Sequence, residues 1–292
     1  MKRFLLPIAV LSAFFFASCG GDAGEGNEPE LTEEQKAYLA KVESVEQNTK
    51  AIFMKSSGTL CPPCGGWGWE VNSQVTESAR DFAGTFTVHS ANFVSKDFIN
   101  QEGNEIDAQF GVSGWPTFLA NNGIGGRMGK TGGGSTVTDY VNTILGDIDA
   151  ISGQAAIANA AVNYTIANNT ITVNSRTRFF EEAAEGEYYI AIWIDEDGPT
   201  APQAGYANGI PEHHHVLRTS TDNHATFGVP LNTAGEVLPK DTLIERTHTA
   251  EFPEGLWNKD RTTVTAIIWS VSGNLTKSYG VVNVSRDMFT EE

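Results

Sequence analysis

Cys61-Pro62-Pro63-Cys64 is the stretch of this sequence that leaves the fewest options for folding. The two cysteines stand just after the apolar run Ala51-Ile52-Phe53-Met54, which reads as a short buried strand. They stand just before Trp67 to about Phe82, which can be helical. A strand that turns into a helix through a dithiol puts the first sulfur at the helix start. Unsatisfied backbone N–H groups and aligned peptide dipoles there lower a thiol pKa and make a nucleophile near neutral pH. The prolines keep the second sulfur within reach. In that geometry the first cysteine attacks a disulfide and the second resolves the mixed disulfide. A bridge closing so small a loop removes little entropy from the unfolded chain, so redox chemistry explains the pair better than stapling does.

The chain has 3 cysteines, and the odd one is Cys19. Before it, residues 1–18 have the layout of an export signal: Met-Lys-Arg, then an apolar run from Phe4 to Ala17 that is shorter than the ~20 residues needed to cross a bilayer. Phe16-Ala17-Ser18-Cys19 resembles a bacterial lipobox. That resemblance implies cleavage before Cys19, acylation of Cys19 and lipid anchoring; an ordinary cleaved signal with a coincidental cysteine is the alternative. Residues 19–31, rich in glycine and acid, read as a flexible tether. Gly20 after the cysteine implies, by likeness to other lipoproteins, delivery to the outer membrane. The acidic run resembles the surface-export tethers of Bacteroidota lipoproteins.

A length of 292 residues points to two domains. The first, residues 32–150, begins with a capped helix at Thr32 and continues through the strand and dithiol. A second strand follows at Thr85–His89, then a helix near Ile99–Gln109. Beyond these come a strand after Pro116, a hairpin signal at Asn121-Asn122-Gly123, a weaker strand at Gly126–Lys130 and a helix from Val137 to Ile148. From residue 151 to 292 the texture changes to seven short alternating runs separated by turn residues, which predicts an antiparallel, immunoglobulin-like β-sandwich. The fold class is thus α/β plus all-β. Lys and Arg total 19 against 36 Asp and Glu, a net charge of −17 that repels a phosphate backbone and excludes nucleic acid as a partner.

The CPPC between strand and helix resembles thioredoxin-like proteins, over Ala51 to about Asp149. Ser113-Gly114-Trp115-Pro116-Thr117-Phe118 resembles the segment that carries that fold's cis-proline, so the resemblance implies a cis Trp115–Pro116 bond opposite the dithiol. It also implies Cys61 as nucleophile, Cys64 as resolving thiol, a redox-active Cys61–Cys64 disulfide, and Pro116 shaping a substrate groove to which Trp115, Trp67 and Trp69 lend apolar area. Leu60 stands where many of these proteins have Trp, and Lys55 stands where a buried acid is common, which removes the usual proton-transfer partner. Lys55 reads as a partly exposed strand-end lysine, although one that reached the sulfur would lower its pKa. Gly205-Tyr206 through Glu212-His213-His214-His215-Val216-Leu217-Arg218, together with Ser57-Gly58-Thr59-Leu60-Cys61 and the lipobox, resembles the thioredoxin-like outer-membrane lipoproteins of the Bacteroidota.

Three other groupings carry weaker signals. His213 and His215 would share a face if they lay on a strand, and with Glu212, Asp222, His224 or His248 they could hold zinc; hydrogen-bonded packing histidines are the plainer reading. His89 reads as a core-edge histidine. Asp195-Glu196-Asp197-Gly198 lacks the full calcium-loop pattern and reads as a solvated turn, and Gly126–Thr131 fails the phosphate-loop spacing. No cofactor is implied. The leading expectation is a lipid-anchored thiol–disulfide oxidoreductase acting on protein disulfides, on the periplasmic face or the cell surface. The competing one is a non-catalytic surface lipoprotein that binds a protein or glycan, with the α/β fold as scaffold.

Overall fold

In the computed structural model of the chain, residues 45–79, 81–91, 95–121, 126–131, 134–183, 186–253, 255–272 and 278–288 are described. The expected signal, Cys19, the tether and residues 32–44 of the expected first helix lie outside these residues, as do Asn122 and Gly123 of the hairpin signal; residues 45–49, where that helix was expected to run to its end near Thr49, are not helical.

Strand β1 (Ala51–Ser57) is buried along its whole length, as a strand covered on both faces must be. A four-residue helical turn, α1 (Pro62–Gly65), and helix α2 (Trp67–Ala79) carry the chain to β2 (Ala83–His89), which runs parallel to β1 with Ala51 opposite Ala83 and Ser57 opposite His89. Pro62 and Pro63 suit the first turn, where an N–H would have no intrahelical acceptor. Helix α3 (Gln101–Gln109) is capped by the Asn100 side chain. Strand β3 (Thr117–Asn121) returns antiparallel to β1 and pairs with β4 (Gly126–Thr131). Helix α4 (Val137–Asp149) opens on a complete capping box between Thr136 and Asp139.

The remaining strands are β5 (Ala158–Ala167), β6 (Thr170–Phe179), β7 (Glu187–Glu196), β8 (Val216–Ser220), β9 (Val229–Pro230), β10 (Leu243–Glu251), β11 (Thr262–Ser272) and β12 (Ser278–Met288). They are not set apart from the α/β unit, because most of them share its sheet. Only β10, β6 and β5 make a separate three-stranded sheet. The others extend the first sheet into a ring. β2 pairs with β8 at Thr87–Val216, β8 with β7, β7 with β11, β11 with β12, and β12 with β4 through Gly280 and Val281 opposite Arg127 and Gly126.

Three cores follow from this ring. Ile52, Met54, Phe86, Val88, Leu119, Trp193, Leu217, Ile267 and Trp269 fill its interior together with Ile106 from α3. On the outer face of β1 and β3, Phe53 and Phe118 pack beneath α2 and α4. On the outer face of β7 and β11, Ile190, Ile192, Ile194, Val264 and Ile268 pack against Ile171, Val173 and Phe179 of the three-stranded sheet. Strand β7 is therefore covered on both faces. This is why Tyr188-Tyr189-Ile190-Ala191-Ile192-Trp193-Ile194 is continuously apolar rather than alternating.

The two halves are also joined by polar contacts. Glu102 of α3 is fully buried, and its Oε1 accepts from the Ser220 N–H at 2.7 Å, from Ser220 Oγ at 3.0 Å and from His224 Nδ1 at 2.9 Å. The turn after β8 places Asp222, Asn223 and His224 all at φ near +60°, a run of left-handed residues without glycine. It is pinned at both ends: His224 by Glu102, and Asp222 by His248 Nδ1 at 2.6 Å, whose Nε2 meets Ser175 Oγ at 2.9 Å.

Candidate functional site

The dithiol stands where β1 gives way to α1. Cys61 is the N-cap of α1: its Sγ accepts from the Cys64 N–H at 3.3 Å, and its own N–H donates to the Gly58 carbonyl at 3.1 Å. Cys61 and Cys64 form a disulfide with their Cα atoms 5.2 Å apart. Cys61 is 4% exposed and Cys64 is fully buried, so a reagent meets Cys61 first. Around them Leu60 is 51% exposed, and Pro62 and Pro63 are also exposed.

Opposite the disulfide lies the loop before β3. The Trp115–Pro116 peptide bond is cis, and the Trp115 carbonyl oxygen is 3.6 Å from Cys61 Sγ. The Trp115 indole is fixed from behind: its Nε1 donates to Ser56 Oγ at 3.1 Å and to Asp107 Oδ2 at 3.4 Å. Asp107 also accepts from Ser56 Oγ and from Ser90 Oγ, both at 2.6 Å. Gly68 allows α2 to lie against Pro116, since a Cβ there would come within 2.6 Å of the proline ring. Among the expected substrate contacts, Trp115 packs on the cysteine pair. Trp67 leans away from it, stacking on Tyr140 of α4 at 5.0 Å, and Trp69 turns inward beneath α1.

The other wall comes from the far half of the chain. The segment Thr200–His215, between β7 and β8, lies across α1 as a strap. Gln203 Nε2 donates to the carbonyls of Gly58 at 3.1 Å and Cys61 at 3.2 Å, and the Ala204 N–H donates to the Thr59 carbonyl at 2.8 Å. Gly205, at φ +80°, touches the Pro62 backbone so closely that a side chain would collide with it. Tyr206 and His213 pack on the Trp69 ring at 4.8 and 5.1 Å.

Lys55 is not the partly exposed strand-end lysine that the sequence suggests. It is 2% exposed, on the face of β1 that looks toward α2. Its Nζ donates to the Cys64 carbonyl at 3.1 Å and stands 5.4 Å from the centre of the Trp69 ring. Burial alone brings its pKa from 10.5 to about 7. Two buried histidines adjoin it. Burial pushes His89 well below its ordinary value, assisted by the charges of His213, Lys55 and Arg218, and burial brings His213 down to about 4.

The histidine trio is not on a strand: β8 starts at Val216, and His215 has φ +46°. Its members diverge. His213 Nε2 lies 3.1 Å from the Ala201 carbonyl, His214 Nδ1 is 3.3 Å from Asp197 and His215 Nδ1 is 3.0 Å from Asp195. The partners considered for zinc are engaged elsewhere: Glu212 with Arg261, His224 with Glu102, and Asp222 with His248. Asp195-Glu196-Asp197 is not a solvated turn, because its carboxylates hold His215, Arg218 and His214. Burial raises the Asp197 carboxyl, but the hydrogen bond from His214 and the charges of His215 and His214 outweigh it and leave it at about 2.

No family model and no curated protein matches the chain. Among solved structures it is similar to HBP35 of Porphyromonas gingivalis, with a TM-score of 0.64 at 16% identity over 84% of this chain and 76% of that one. This likeness establishes the fold: a thioredoxin-like domain joined to a β-rich region. Two further matches are weaker. A protein from Agrobacterium tumefaciens has a TM-score of 0.47 at 12% identity, over 85% of this chain and 98% of that one. A domain of the outer membrane lipoprotein Omp28 from Porphyromonas gingivalis has a TM-score of 0.31 at 14% identity, over 46% and 88%. Among the described residues no helix is long and apolar enough to cross a membrane.

Proposed function

We propose that the chain is a thiol–disulfide oxidoreductase of the cell envelope, anchored through an acylated Cys19 and acting on protein thiols and disulfides. The observation that carries this reading is the Cys61–Cys64 disulfide at the head of α1, with Cys61 Sγ against the carbonyl that precedes Pro116. In the oxidised form a substrate thiolate attacks Cys61 Sγ, the Cys61–Cys64 bond breaks, and its electron pair leaves on Cys64. A second substrate thiolate then attacks the substrate sulfur of the mixed disulfide and releases Cys61. The substrate gains a disulfide and the protein becomes a dithiol; disulfide reduction is the same path reversed. The exposed Leu60, Pro62 and Pro63 beside the disulfide offer an apolar rim that suits a polypeptide better than a small thiol.

The test is trapping. Cys64→Ser is expected to accumulate mixed disulfides with substrate proteins, whereas Cys61→Ser abolishes exchange; equal exchange by both variants and the wild type would overturn the reading. Loss of palmitate labelling in Cys19→Ala tests the anchor. One observation favours a second reading, a non-catalytic surface lipoprotein whose immunoglobulin-like β-rich half binds a protein or glycan: Cys61 is 4% exposed and the strap lies on its loop. The reduction potential separates the two. A value within the ~−270 to −120 mV span of exchange catalysts supports the enzyme, and one below about −300 mV supports the scaffold.

A further inference from the structure

A lysine buried without a counter-charge is costly unless some state of the protein supplies one. Lys55 is in that position. Among the described residues no carboxylate pairs with it, and its one hydrogen-bond acceptor is the carbonyl of Cys64. The titratable groups facing it are basic or sulfur-bearing: His89 from β2, His213 and His214 from the strap, and the cysteine pair on α1, with Asp97 lying beyond His213. With the disulfide closed, nothing nearby offsets an ammonium. With the disulfide open, a thiolate on Cys64 would do so.

We infer that Lys55 is the base that takes the proton from Cys64 when that thiol resolves a mixed disulfide, and that its ammonium then holds the Cys64 thiolate as counter-ion. The inference rests on the exchange reading proposed above. In the mixed disulfide, Cys61 Sγ is bonded to a substrate sulfur and Cys64 is a thiol. Neutral Lys55 accepts the S–H proton, giving an ammonium and a thiolate. The thiolate attacks Cys61 Sγ, the Cys61–Cys64 bond forms, and the Cys61–substrate bond breaks with its electron pair leaving on the substrate sulfur. That sulfur takes a proton from solvent. The ammonium, its counter-ion now spent in a covalent bond, gives its proton back to solvent. Burial, which holds the amine near neutrality at about pH 7, keeps it able to accept a proton under working conditions.

The experiment uses the reduced protein and an aromatic disulfide, bis(3-carboxy-4-nitrophenyl) disulfide, whose two coloured thiolates are released in sequence. The first release reports attack by Cys61 and the second reports resolution by Cys64. Both rates are followed from pH 5 to 9 in the wild type and in Lys55→Met. Without the amine, the Cys64 thiol lies among apolar groups and ionises only at higher pH. The second release is therefore expected to slow at least tenfold at pH 7, with its midpoint displaced upward by at least one pH unit, while the first release changes less than threefold. An unchanged second-release profile in folded Lys55→Met would overturn the inference and leave the exchange reading standing. No second release in the wild type would overturn both. Should Lys55→Met not fold, thiolate absorbance of Cys64 in Cys61→Ser decides: a midpoint below the ordinary ~8.5 supports the counter-ion, and one above it overturns it.

Discussion

Residue by residue, the site is held by groups whose ionisation sets the protein's response to pH. His213 has a pKa of about 4 in the fold against 6.5 when unfolded. Between those values the unfolded chain binds a proton that the folded one refuses, so stability falls as pH drops from 6.5 toward 4. Lys55 has the same sign in a higher window: folded at about 7 and unfolded at 10.5, it makes the oxidised protein more stable as pH rises through that range, by up to ~1.4 kcal/mol per pH unit. Urea midpoints at pH 7 and 9 should therefore rise in the wild type and stay level in Lys55→Met; equal changes would remove Lys55 as the cause. A second expectation concerns Ser175, His248 and Asp222, whose contacts of 2.9 and 2.6 Å follow the order of a hydrolytic triad. Ser175 is 3% exposed between packed sheets, where no ester can reach it, so a fluorophosphonate probe should leave it unlabelled. The dithiol and the proline loop were legible in the sequence because each is a local pattern with its own chemistry. Lys55 was misread because its burial comes from Trp69 and the strap, and the latter lies about 150 positions further on.

At the scale of elements, the described helices followed from periodicity, and α4 adds a capping box that the sequence reading did not use, although every group that starts it lies within a few residues. In the sequence the strap stood out through the Gly205 to Arg218 resemblance and the histidine trio, and its role appears once β7 and β8 hold its ends beside α1. Its fit depends on Gly205 at Pro62 and on the Gln203 amide. Gly205→Val should lift it from α1, so that dithiothreitol reduces the disulfide several-fold faster with an unchanged far-UV spectrum. An unchanged reduction rate in the folded variant would mean that the strap does not restrict access. Glu102 joins elements differently, as a buried carboxylate that ties α3 to the turn after β8. Glu102→Ala leaves the Ser220 N–H and hydroxyl without it and should cost about 3 kcal/mol in denaturant unfolding.

For the whole molecule, the change of texture near residue 150 suggested two separable units, yet strands from both sides share one ring. Pairing across it joins strands more than a hundred residues apart, and no local periodicity encodes such partners. A fragment of residues 45–152 would bare the inner face of the first sheet, including Ile52, Met54, Phe86, Val88 and Leu119, each worth roughly 1.5–3 kcal/mol when buried, and would leave β2 and β4 as open edges. It should aggregate on expression, whereas residues 45–288 stay soluble; a soluble monomeric fragment would show that the first half stands alone. The ring is uneven, however. It is broad between β7 and β11 but only a rung or two wide where β2 meets β8 and β4 meets β12. In mechanical terms it is a belt with two narrow buckles. One buckle is Thr87–Val216, next to His215 at the end of the strap. The strap that covers the disulfide therefore ends at one of the two narrowest joints of the belt.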